Sequence, residues 1–132
     1  MTVASTCVLI ACLLPVVCAG IAKSPGMRKS PREGGYDNAN PRQWQAGLEG
    51  RQARALAAMQ NNFEGLPFFI AGVLLAQQAG ASQTVINAVA VAFVLSRLVY
   101  IGVYLANRAT LRTAVWTFGM ACCVALFLLP HA

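Results

Sequence analysis

Residues 3–22 run for twenty positions without one charged side chain, about the length an α-helix needs to cross the hydrocarbon of a bilayer. Three more long apolar segments follow, at residues 53–78, 84–106 and 113–129. A soluble domain of this size has no interior large enough for so much apolar surface, since 58% of the 132 residues are hydrophobic and only 11% are charged. A lipid solvent removes that difficulty. The expectation is therefore a single all-α domain, an integral membrane four-helix bundle with a loop over residues 23–52 between its first two spans. The first segment has no Lys or Arg ahead of its apolar run, so it lacks the positive start of a secretion signal. The "PVVCAG" around Cys18 is similar to a lipoprotein cleavage site, but Val17 is bulky where a small residue is wanted. A retained first helix is expected.

Charge sets the orientation. Lys23, Arg28, Lys29, Arg32, Arg42, Arg51 and Arg54 lie in or beside the first connection, Arg108 and Arg112 at the third, and the second, "QQAGASQT", has none. Connections one and three share a side in a four-span chain, and the positive-inside rule makes that side cytoplasmic, with both termini outside. A net charge of +6 then needs no nucleic acid to explain it. The first connection, "KSPGMRKSPREGGYDNANPRQWQAGLEG", is rich in turn-forming residues. The aromatics at either end of its "YDNANPRQW" suit the headgroup level, although a flexible linker reads equally well.

The five cysteines, Cys7, Cys12, Cys18, Cys122 and Cys123, lie inside apolar runs and form no C-x-x-C pair. They read as small packing residues, not as a disulfide framework or metal site. The one histidine, His131, is penultimate, which leaves no basis for histidine catalysis or a His-rich metal site. Small residues at Ala11, Ala19, Gly20, Gly119, Ala121, Cys122 and Ala125 favour close helix packing in lipid.

Polar groups gather in one place. "AAMQNNFEGLPFF" puts Gln60, Asn61, Asn62 and Glu64 inside the second span, where helical spacing aligns Arg54, Ala57, Asn61 and Glu64 in one stripe. Pro67 follows and is expected to kink the helix. In the third span Arg97, Tyr100, Tyr104 and Arg108 form a second stripe. Counting outward from the short uncharged turn places Glu64 level with Arg97, Asn61 with Tyr100 and Ala57 with Tyr104. An ion pair between Glu64 and Arg97 is the expected consequence, because an isolated charge in a membrane is costly. One ion pair does not require Gln60, Asn61, Asn62, Tyr100, Tyr104 and Arg112 around it. Such an excess suits a water-filled pocket, and its arginines suit an anionic small molecule.

At these residues the chain resembles the MAPEG family, the membrane-associated proteins in eicosanoid and glutathione metabolism. "QNNFE" is similar to the family's second-helix signature, and "RLVYIGVYL" with "RATLRTAVW" to its third helix and the start of its fourth. The loop and "FEGLPFF" resemble the small bacterial branch, which implies a bacterial inner membrane. The resemblance implies a homotrimer that binds glutathione between subunits near the cytoplasmic face. It makes Arg112 the catalytic residue that stabilises the glutathione thiolate, with Thr113 beside it. Asn61, Glu64 and Tyr104 match positions that hold the tripeptide, and Arg54, Arg97, Tyr100 and Arg108 complete the expected cofactor-binding set; no metal is implied. A guanidinium beside a thiol lowers its pKa and activates it, and the membrane side of such a pocket admits a lipophilic electrophile. Two departures stand out: Gln60 replaces an arginine of the glutathione-using members, and Trp116 replaces a tyrosine found in several.

Three readings of function stay open. One is a glutathione-dependent transferase or peroxidase acting on lipophilic electrophiles. Another is a non-catalytic protein of the same fold that binds lipid or stabilises a partner, as one member of the family does. The third is a small four-helix transporter using Glu64, against which a carboxylate paired with Arg97 would argue, since pairing opposes protonation.

Overall fold

The computed structural model of the protein describes residues 1–129, so His131 lies outside the described residues. The described residues are helical, with no strand among them. In chain order the helices are α1 (Val3–Lys23), the short α2 (Pro41–Ala46), α3 (Gly50–Gln78), α4 (Gln83–Leu105) and α5 (Ala109–Phe127). The four long ones pack on one another. α3 and α4 form the central pair, and α1 and α5 each contact both.

Three of these helices, α1, α4 and α5, are long and apolar enough to cross a membrane. The expected second span does form a helix, the longest of all at 29 residues. It falls short in composition because Arg51, Arg54, Glu64 and the amides lie within it. Large apolar side chains, including Leu13, Val17, Phe68, Leu74, Leu95 and Phe118, face outward and are at least half exposed. So much exposed apolar surface fits a lipid surround better than water.

Packing rests on small residues. Along α1, Ala4, Cys7, Ala11, Leu14, Cys18 and Ala22 recur every three or four positions, and all are buried. This is the spacing of one helix face, and its small members let the other helices approach. Cys122 and Cys123 bury likewise in α5, and all five cysteines are free thiols. Of the other small residues expected at contacts, Gly119 is buried, whereas Gly20 and Ala121 are exposed. The core's centre is a parallel stack of Phe69 on Phe93, with ring centroids 4.0 Å apart.

Both short turns between long helices use one device. At the end of α3, Gly80 takes a positive φ of 75° while Ala81 N–H donates to Ala76 and Gly80 N–H to Gln77. At the end of α4, Asn107 does the same at φ 58°, with Arg108 N–H donating to Val103 and Asn107 N–H to Tyr104. This left-handed cap satisfies the last carbonyls and stops the helix within three residues. As a result α5 begins at Ala109, earlier than the expected 113, and Arg112 lies in its first turn. Pro67 is accommodated inside α3, which continues as one helix to Gln78.

The first connection is folded. Tyr36 and Trp44 meet edge to face at 5.1 Å, and Trp44 Nε1 donates to the Gly34 carbonyl at 3.3 Å. Lys23 Nζ sits 4.8 Å from the centre of the Tyr36 ring, tying the end of α1 to the loop. The two aromatics therefore close on each other instead of marking separate ends of the segment. Asp37 accepts from the backbone of Ala39 and Asn40 and from the Asn40 side chain. Those bonds hold its carboxyl below the usual carboxylate range, the Asn40 side chain contributing most.

Candidate functional site

The polar residues meet where α3, α4 and the first half of α5 converge. Asn61 faces α4, Tyr100 and Tyr104 lie on one face of α4, and Arg112 reaches them from the first turn of α5. Two small cavities open here. One, of about 160 Å³, is lined by Asn61, Tyr100, Arg112, Thr113 and Trp116. The other, of about 190 Å³, is lined by Glu64, Gly65, Phe68, Phe93, Arg97 and Met120, again with Asn61 and Trp116. Asn61 and Trp116 form the partition between them.

Arg97 is the most buried charge, with only 3% of its surface exposed. Its Nη1 donates to Asn61 Oδ1 at 3.1 Å. Its carbon Cζ lies 4.6 Å from the centre of the Tyr100 ring and 5.5 Å from that of Phe93. Nε and Nη2 find no hydrogen-bond partner among the described residues. On the side toward α5 the guanidinium abuts Gly119, where a Cβ would stand 2.7 Å from Nη2 and 3.0 Å from Ser96 Oγ. The place for this cation is thus made of two aromatic faces, one amide and a missing side chain.

The expected ion pair between Glu64 and Arg97 is not formed. Glu64 is exposed, and its hydrogen bond comes from Gln60 Nε2 at 3.4 Å. Counting residues along two helices gives height but not direction. Three residues turn an α-helix about 60° short of a full circle, so Asn61 points at α4 while Glu64, one turn on, has rotated toward the outer face. The pairing that opposed a transport role for Glu64 is therefore absent, though both residues line the larger cavity.

The other expected site residues divide. Tyr100 is buried and meets Tyr104 edge to face at 5.5 Å. Arg112, half-buried, places Cζ 4.4 Å from the centre of the Tyr104 ring. Arg54 donates through Nε to the Leu105 carbonyl at 3.2 Å, closing the end of α4. Arg108 is the exposed residue preceding α5 and lines neither cavity. Thr113 borders the smaller cavity, but its hydroxyl donates to the Ala109 carbonyl at 3.2 Å. Asn62 is buried and bonds the Ala58 carbonyl of its own helix. The sequence singled out Trp116 only as a departure from a family pattern, whereas it walls both cavities. Gly119 reads in the sequence as a packing residue, and nothing in its spacing announces that it seats a cation.

Chemically the site offers two guanidinium groups with unspent donors, a carboxylate at the rim and apolar walls. That combination suits the charged end of an amphipathic or anionic molecule. The model of the MAPEG family matches residues 3–131, essentially the whole chain. No curated protein and no solved structure matches it.

Proposed function

The chain belongs to the MAPEG family, and from that premise we propose that it is a multi-pass membrane protein binding glutathione at the convergence of α3, α4 and α5. Members of that family include glutathione transferases and peroxidases as well as non-catalytic proteins. In this reading Arg112 stabilises the thiolate, and Asn61, Glu64 and Thr113 border the tripeptide. The thiolate then either forms a carbon–sulfur bond with a lipophilic electrophile arriving from the bilayer, expelling its leaving group, or attacks a lipid hydroperoxide. Attack on the hydroperoxide cleaves the O–O bond, releasing the alcohol and a sulfenate that a second glutathione converts to the disulfide and water. The observation that carries the reading is the state of Arg112. It is half-buried beside a cavity and rests on an aromatic ring, with its N–H groups left for a ligand.

The four long helices would all cross the membrane, α3 shielding its polar stretch among the others, with the basic first and third connections cytoplasmic. Each cavity is smaller than the roughly 300 Å³ at which ligand pockets usually begin. A homotrimer, in which a neighbouring subunit completes the pocket, accounts for that shortfall.

The same shortfall favours a second reading, a non-catalytic member that binds lipid or supports a partner. Titration calorimetry of glutathione into detergent-purified protein separates the two. Saturable binding that disappears in Arg112→Ala supports the thiol reading. No binding to well-folded protein moves the weight to the second.

A further inference from the structure

We propose that Tyr104 is a positioning residue whose ring face, and not its hydroxyl, aims the Arg112 guanidinium into the cavity that Asn61 borders. The inference rests on the reading of Arg112 as the cation that meets a ligand. It departs from the role in holding the tripeptide that resemblance gives to Tyr104.

A cation kept for a ligand has to be held without using up what it offers. A carboxylate neighbour would neutralise it, and a carbonyl neighbour would occupy an N–H. An aromatic face does neither, because it attracts the guanidinium from above and leaves all five in-plane donors free. Three arginines here are at least half-buried, and they divide along this line. Arg54 spends Nε on the Leu105 carbonyl and Arg97 spends Nη1 on Asn61. Arg97 also lies against rings, but Arg112 is the one of the three held by a ring with no side-chain hydrogen bond spent among the described residues, its Cζ 4.4 Å from the Tyr104 centroid.

The ring is itself fixed. Tyr104 meets Tyr100 at an interplanar angle of 78°, and Tyr100 is buried under Arg97. The pose of Arg112 is thereby tied to Arg97, the most buried charge among the described residues, through three contacts: cation to ring, ring edge to ring face, and ring to cation. Backbone geometry reinforces it, since the Tyr104 carbonyl accepts from Asn107 in the tight turn that delivers α5.

The test starts without any ligand. Nuclear magnetic resonance of the Arg112 Nε–Hε group in detergent-solubilised protein reads ring-current shift and order together. An upfield, ordered resonance is expected in the unaltered protein and in Tyr104→Phe, which keeps the ring. In Tyr104→Leu the shift is lost and the group becomes mobile. Glutathione is then added, and its thiolate absorbance is followed against pH. The apparent thiol pKa is expected to be unchanged in Tyr104→Phe and to rise by about one unit in Tyr104→Leu, roughly a tenfold loss of thiolate.

A mobile, unshifted Arg112 in the unaltered protein overturns the proposal, as does a Tyr104→Phe variant that behaves like a variant without a ring. Neither result needs Tyr104→Leu to fold. If the ordered, shifted resonance is present but glutathione gives no thiolate signal, positioning by the ring stands and the thiol reading falls.

Discussion

Arg97 donates to Asn61 and not to Glu64, one helical turn further along the same stripe of α3. The amide is the one hydrogen-bond acceptor among the described residues of a nearly sealed guanidinium, so its removal leaves all the cation's donors unpaired in the interior. Asn61→Ala is expected to destabilise the protein by about 1–3 kcal/mol. Asn61→Asp keeps an acceptor and should recover most of that loss. Glu64→Gln, at an exposed position, should stay within about 0.5 kcal/mol of the unaltered protein. Thermal unfolding in detergent ranks the three, and a Glu64→Gln penalty equal to that of Asn61→Ala would restore the ion pair.

Gly119 should be the least replaceable glycine of the helices around the site. A methyl there would stand 2.7 Å from Arg97 Nη2, and Arg97, pinned between rings, has little room to retreat. Gly119→Ala is expected to cost about 1–3 kcal/mol through overpacking. Gly102→Ala on α4 is the control, since nothing lies within 4 Å of the added carbon. There the loss of backbone freedom in the unfolded chain predicts a gain of up to about 1 kcal/mol. Equal melting temperatures for both variants would contradict the packing described for Arg97.

Acid should loosen the first connection before it disturbs the helices. Asp37 is held below the usual carboxylate range, first by the Asn40 side chain and then by the Ala39 N–H. A carboxylate depressed in the folded state contributes stability above its unfolded pKa. That contribution is lost as the pH falls through the folded value. Trp44, packed on Tyr36 in the same loop, reports the change by fluorescence in a Trp116→Phe background. Asp37→Asn should flatten the acid limb of that titration. An unchanged acid limb in Asp37→Asn would show that another group is responsible.

Arg112→Lys tests the thiol reading from the side of chemistry. Lysine keeps the charge but loses the planar fork that stacks on Tyr104 and points several donors at one ligand atom. Turnover with a lipophilic electrophile is expected to fall by roughly a hundredfold, while oligomeric state and melting temperature hold. Full activity in Arg112→Lys would reduce the arginine to a simple counter-charge.

Much of the architecture was legible from the apolar runs, whose helices fall within a few residues of their expected ends. α5 is the largest discrepancy, because Asn107 acts as a left-handed cap that apolar runs and charge do not reveal, and the turn before α5 is correspondingly short. Composition also marks α3 as the odd one of the four spans, because its first half carries the polar cluster, and it is the long helix that falls short of a membrane span. At the site, the two stripes that carry Asn61 on α3 and Tyr100 on α4 could be read from helical spacing. The partner of Arg97 could not, because a long side chain selects among neighbours by direction, which residue counting does not supply. The contact of Tyr104 with Arg112 spans two helices and a tight turn, and no periodicity within one helix reveals it.

The gap at Gly119 also bears on how α5 finds its place along α4. Apolar helices in lipid slide past one another at little cost, because one aliphatic contact replaces another. A bulky cation seated in a notch one residue wide breaks that degeneracy. A shift of α5 by one turn would bring Val115 or Cys123 against Arg97 and close the notch. Arg97 and Gly119 together therefore act as a register pin, fixing at one depth the helix that carries Arg112.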